Sequence, residues 1–130
     1  ELLPQLEAGA LDILIARVWH PQELAGIDQM ALFSEPVVVV AGRTHPLAQA
    51  REVQWADVAS YPWILPQANS VARQAVDALF AANGLAPPIN TIASLSLALN
   101  LELLNVMPAL GLLPQRLAQT QAARGEIVTL

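Results

Sequence analysis

Val37-Val38-Val39-Val40, bracketed by Pro36 and Gly42, constrains this chain more than any other stretch. β-branched side chains suit the pleat of a strand, and four in succession leave no polar face, so the run predicts a strand covered on both sides. Its end is abrupt. Gly42 loosens the backbone, and Pro46 removes a donor and pushes His45 toward an extended conformation. A buried strand that leaves a sheet through a proline-bearing turn suits a crossover between two lobes, and lobes joined in this way can close on a ligand.

Around this strand the pattern alternates. Residues 2–8 read as the last turns of a helix ended by Gly9, and Leu11 to Ala16 as a short buried strand. Ile27 to Leu32 carries a weaker strand pattern, and a short helix is expected near Trp55-Ala56-Asp57-Val58. Trp63-Ile64-Leu65 predicts a brief strand stopped by Pro66. Next comes the best-defined helix, with Ser70 as its cap, Val71, Ala75, Val76, Leu79 and Phe80 at helical spacing, and Gly84 past its end. Ile89 to Ala93 predicts another strand. In 95–103 the leucines alternate with Ser96, Ala98, Asn100 and Glu102 as in a strand, but the absence of β-branched residues favours a helix. Leu110 to Leu113 predicts a strand, Pro114 to Gln121 a proline-opened helix, and Ile127 to Thr129 a final strand. Such alternation implies an α/β fold with a mostly parallel sheet and helices on its faces.

Composition narrows the function classes. With 130 residues of which 55% are hydrophobic, the chain can bury one core or two small ones. No apolar run approaches the roughly 18 residues of a membrane helix, and the first residues lack the basic start of a signal peptide. Cysteine is absent, which excludes disulfides, thiolate metal sites and cysteine nucleophiles. The net charge is −5, and the six basic residues are scattered arginines, so no basic stripe is available to neutralise a nucleic-acid backbone. There is no P-loop, glycine fingerprint, nucleophile elbow or metal motif in the sequence, so we expect no enzyme activity, cofactor or metal. His20 and His45 stand in separate turns without a carboxylate at ligand spacing and read as solvent-facing. The tryptophans Trp19, Trp55 and Trp63 read as packing residues, with Trp19 a candidate platform in the loop after Arg17.

Four stretches in order, LEAGALDILIA (6–16), EPVVVVAGRTHPLA (35–48), WADVASYPWIL (55–65) and LGLLP (110–114), resemble the effector-binding region of LysR-type transcriptional regulators. YPWILP and ANGLAPP are further similar to a subgroup regulating galactose-binding-protein and aromatic-acid genes. Asn105-Val106-Met107-Pro108 departs from the family's glycine-rich turn before LGLLP. The resemblance implies a two-lobed, type II periplasmic-binding-protein-like fold of mixed, mostly parallel sheets, here an incomplete fragment without its N-terminal helix-turn-helix. It places 1–42 in lobe I with the first crossover strand, 43–126 in lobe II, and 127–130 as the second crossover. Asp12, which recurs in the family pattern, reads as structural support for its lobe.

The implied function is a cytoplasmic ligand-sensing domain. A small effector, an anionic metabolite or a sugar, would bind between the lobes of a homodimer or tetramer, and DNA would be reached only through the missing domain. A periplasmic solute-binding protein of a transporter is the alternative. In such folds the ligand sits where strands end and helices begin. Three places in this chain meet that description: Arg17, which could pair with a carboxylate or form a salt bridge; Pro66, Gln67, Asn69 and Ser70 with Arg73; and Ser94 with Ser96. Capping competes with binding at Ser70, Ser94 and Ser96, and Asp77 competes for Arg73.

Overall fold

The computed structural model describes residues 2–16 and 26–130. Two compact units are present, Glu1–Ser34 and Glu35–Leu130. In the first, residues 2–8 supply helix α1 (Leu3–Glu7), with Gly9 past its end at φ +72°. Leu11 to Ala16 adopts no strand, and Ile13 and Ile15 are 79% and 78% exposed. Ile27 to Leu32 adopts none either. Apolar runs become strands only where a neighbouring edge takes their backbone groups. Neither run enters a ladder among the described residues.

The second unit is a five-stranded sheet in the order β3-β2-β4-β1-β5, built from β1 (Val37–Gly42), β2 (Trp63–Leu65), β3 (Thr91–Ala93), β4 (Leu110–Pro114) and β5 (Ile127–Thr129). Strand β2 runs parallel to β3 and β4, whereas β1 runs antiparallel to β4 and β5. The sheet is therefore mixed, with a larger antiparallel share than strand–helix alternation alone predicts. The cause is the valine strand, which enters the unit from the edge where the parallel strands end.

Both faces of β1 are covered, as its composition requires. Val38 and Val40 pack with Ile64, Leu104, Leu113, Ala118 and Ile127, while Val39 and Ala41 pack with Trp63, Leu65, Val76, Phe80 and Leu110 on the other face. Neighbours along a strand point to opposite faces, so one strand serves two cores. Helices α2 (Trp55–Val58) and α3 (Val71–Ala82) belong to the second core, and α4 (Leu97–Val106) and α5 (Gln115–Ala123) to the first. Trp63 is fully buried, its Nε1 donating to the Val58 carbonyl at 3.0 Å, and its ring meets Phe80 edge-on at 5.1 Å. Trp55 meets Phe80 edge-on from another side, so both tryptophans are packing residues.

Local signals set the helix ends. Ser70 Oγ accepts from the Arg73 N–H at 3.1 Å, and α3 closes with Gly84 N–H on Ala81 O and Leu85 N–H on Phe80 O, with Gly84 at φ +73°. Val76 and Phe80 face the core, but Val71 and Leu79 are exposed, so the buried stripe is narrower than the apolar spacing suggests. The leucine-rich segment is helix, beginning at Leu97 after Ser96. Pro114 stands at the cap of α5, one position before the opening turn that was expected to hold it. Strand β3 begins at Thr91, and Ile89 is 97% exposed. His45 corrects the reading of a solvent-facing turn residue: it is only 3% exposed, with its ring 4.4 Å from that of Tyr61. The turn folds back because Pro46 opens a 3₁₀ segment, Pro46–Gln49, which His45 caps.

Candidate functional site

Parallel pairing of β2 and β3 brings two helix-opening turns side by side. The register Trp63↔Thr91, Ile64↔Ile92, Leu65↔Ala93 ends both strands at one level, and the Ser94 N–H donates to the Leu65 carbonyl at 3.0 Å. From there the chain departs in opposite directions: Pro66–Ser70 leads to α3 on one face and Ser94–Ser96 leads to α4 on the other. Both turns lie at the carboxyl ends of their strands, next to the topological switch point between β2 and β4, where the strand order reverses and an open α/β sheet forms its crevice.

The structure thus brings Pro66, Gln67, Asn69, Ser70, Ser94 and Ser96 to one edge. Ser70 is fully engaged locally, its hydroxyl donating to the Gln67 carbonyl at 2.8 Å while accepting from Arg73 N–H. Ser94 Oγ accepts from the Ser96 N–H at 3.2 Å, and Ser96 Oγ accepts from the Leu99 N–H at 3.4 Å. These bonds use the oxygens as acceptors, so both hydroxyl hydrogens stay available to a ligand. The side chains of Gln67 and Asn69 are exposed. Arg73 does what its spacing allows: its Nε donates to Asp77 Oδ1 at 2.8 Å, which balances its charge within α3. Arg17, Trp19 and His20 lie outside the described residues. Asp12 is exposed.

A third helix opens at the same edge. Strand β4 is parallel to β2, so Pro114 and the start of α5 lie at the carboxyl end too, and Glu35 Oε1 accepts from the Arg116 N–H at 3.1 Å. Sequence reasoning missed this contact because its partners are 81 residues apart, and nothing in the stretch that Glu35 opens points to Arg116. With the start of α5 taken by the Glu35 carboxylate, the edge offers amide and hydroxyl groups against the positive ends of α3 and α4, an arrangement suited to holding oxygen-rich or anionic small molecules.

This mixed α/β unit with a switch-point edge is the architecture of a periplasmic-binding-protein-like effector domain. A family model described as the LysR substrate binding domain matches residues 1–130, and the chain belongs to that family. It is 31% identical over 130 residues to the HTH-type transcriptional regulator PcaQ of Agrobacterium fabrum, covering 99% of this chain and 42% of PcaQ. It is also 29% identical over 125 residues to the HTH-type transcriptional regulator GbpR of Azospirillum brasilense, covering 95% of this chain and 36% of GbpR. The chain thus spans about two-fifths of the length of these relatives. Among solved structures, the effector-binding domain of QuiR in complex with shikimate superposes with a TM-score of 0.76 at 23% identity, over 99% of this chain and 59% of that one. The regulatory domain of MetR, a LysR family regulator from N. meningitidis, gives 0.72 at 17% identity, over 99% and 58%.

Proposed function

We propose that the chain is the ligand-sensing part of a LysR-type DNA-binding transcriptional regulator. A small effector bound between two lobes shifts the population of two arrangements, and an N-terminal helix-turn-helix domain reads that shift. In this reading one wall of the effector cleft is the edge formed by Pro66, Gln67, Asn69, Ser70, Ser94 and Ser96, and Arg17 is a further candidate contact for an anionic effector. Strands β1 and β5 are the two crossovers. They are neighbours in the sheet, antiparallel, and paired through Val40↔Thr129 to Gly42↔Ile127, so the chain enters and leaves the second unit at one edge. Arg73 is then a positioning residue for α3 rather than a ligand contact, since its charge is taken by Asp77. A homo-oligomer in the cytoplasm completes the reading, because a LysR-type regulator acts on DNA inside the cell.

The observation that carries this proposal is the convergence of the 66–70 and 94–96 turns beside the switch point of a chain matched throughout by the LysR family model. The oxygen-rich complement of such an edge makes hydroxy-acids, aromatic acids and sugars the first classes to test, and the QuiR domain was solved with shikimate bound. The test is a thermal-shift screen of these classes followed by calorimetry. A cognate ligand at 100 times its Kd raises stability by about 2.7 kcal/mol through mass action. Replacing Gln67 and Asn69 together by alanine should weaken that ligand at least tenfold without lowering the melting temperature of the free chain. Binding that survives both substitutions and Arg17→Ala unchanged would remove this edge from the site.

A further inference from the structure

At the opposite edge of the sheet, where β1 ends and β4 begins, neutral His45 is held in a single tautomer. Its Nδ1 accepts the Leu47 N–H at 3.1 Å, which requires a lone pair on Nδ1 and puts the imidazole proton on Nε2. The ring is buried against Tyr61 and beside a cavity of about 140 Å³ lined by Thr44, Asn105, Val106, Met107 and Pro108. Nε2 has no partner in hydrogen-bond geometry among the described residues. Three residues earlier, the β1 backbone at Gly42 lies so close to the end of α4 that a Cβ there would collide with the Leu104 carbonyl oxygen. The same histidine therefore sits where the exit of β1, the end of α4 and the turn into β4 come together.

We propose that His45 is a proton-operated latch: neutral, it closes the turn leaving β1 by accepting the Leu47 N–H beside the end of α4, and protonation releases that turn. The balance is simple. A proton taken from solvent binds Nδ1, the lone pair that received the Leu47 N–H is consumed, and two N–H groups then face one another. The resulting cation is buried with no counter-charge. The ionisable groups near the ring are Tyr61, from the segment before β2, and Arg43, whose guanidinium is turned to the Gly125 carbonyl at 3.3 Å. Thr44, Asn105, Val106, Met107 and Pro108, from the β1 exit and the α4–β4 turn, bear no charge. Burial accordingly pushes the His45 pKa below its ordinary 6.5 and outweighs the Pro108 backbone, which acts in the other direction. The latch stands without the effector reading. Taken with that reading, it stands between the end of a crossover strand and the helix whose other end opens at the effector edge.

The test is a proton titration of the full chain without any effector, following the His45 ring and the protection of individual amides by NMR between pH 8 and 4.5. The expected result is a His45 midpoint below 6.5, with Leu47 amide protection falling at least tenfold across it while the β1–β4 ladder stays protected. In His45→Asn, whose side-chain oxygen can still accept from the residue 47 N–H but does not titrate, Leu47 protection should be independent of pH. A midpoint at or above 6.5, constant Leu47 protection across it, or the same fall in His45→Asn would each overturn the latch. Should His45→Asn fail to fold, the titration of the unsubstituted chain decides alone.

Discussion

Gly42 and His45 lie three residues apart and show how much a single position carries in a packed α/β unit. Gly42 is needed for space rather than for an unusual backbone angle: a methyl group there meets the main chain of Leu104, which cannot swing aside as a flexible side chain would. Gly42→Ala should destabilise the chain by about 1 to 3 kcal/mol, measured by urea unfolding. Gly84→Ala is the contrasting case, with open space around it but φ at +73°, and should cost about 1 kcal/mol from backbone strain alone. His45 adds a pH dependence whose sign follows from linkage. Its folded-state pKa lies below the unfolded value, so the unfolded chain binds more protons in the window beneath 6.5. Stability from this group is fully present above pH 6.5 and is lost as pH falls toward the folded-state pKa. Melting temperatures of the unsubstituted chain should therefore drop more steeply than those of His45→Asn between pH 6.5 and 5. Equal slopes would show that the ring titrates alike in both states.

Among the elements, α3 and α4 illustrate how short-range chemistry decides where a helix starts. Both open after a serine whose hydroxyl accepts from the third N–H along, at Arg73 and Leu99. Ser70 also secures the loop behind it through the Gln67 carbonyl, so Ser70→Ala removes a cap and a loop tether together. The expected cost is about 1 to 2 kcal/mol in chemical denaturation, larger than for Arg73→Ala, whose partly buried i,i+4 pair with Asp77 is worth about 0.5 kcal/mol. Reversal of that order would show that Arg73 does more than balance Asp77. The strand elements obey a different rule. Trp63-Ile64-Leu65 is only three residues long, yet all three are buried, because β3 and β4 flank it and a helix covers each face. The apolar run Leu11 to Ala16 has a comparable composition and forms no strand, since pairing comes from neighbours and not from the run itself.

Over the whole molecule, both buried clusters are composed of residues after Glu35 and share β1, β2 and β4 between them. A sheet with a covered layer on each face has the burial needed for cooperative folding. Residues 35–130 produced alone should thus unfold in one urea transition seen alike by circular dichroism and tryptophan fluorescence, since Trp55 and Trp63 both report on the Phe80 side of the sheet. Separate transitions for the two probes would mean that the clusters are not one cooperative body. Phe80→Ala in the full chain should cost about 3 to 5 kcal/mol, because the ring is fully buried between two tryptophans.

What the amino-acid order determined by itself is local. The β-branched run made β1 a strand with two covered faces, Ser70 and Gly84 bounded α3, prolines stopped β2 and opened α5, and the spacing from Leu6 to Pro114 was enough to resemble the LysR family. The first three signals act through covalent geometry and hydrogen bonds within a few residues, while the resemblance rests on four ordered stretches from Leu6 to Pro114, and all are legible without coordinates. Gln67, Asn69, Ser94 and Ser96 were legible as residues at helix openings, but that their two turns stand side by side follows only from the parallel pairing of β2 with β3. Tertiary structure alone decided the burial of His45, the reach of Glu35 to α5, the antiparallel setting of β1 and the fate of Leu11 to Ala16. Each depends on what lies across space from a segment, and the free energy of burial and pairing belongs to that neighbour as much as to the segment itself.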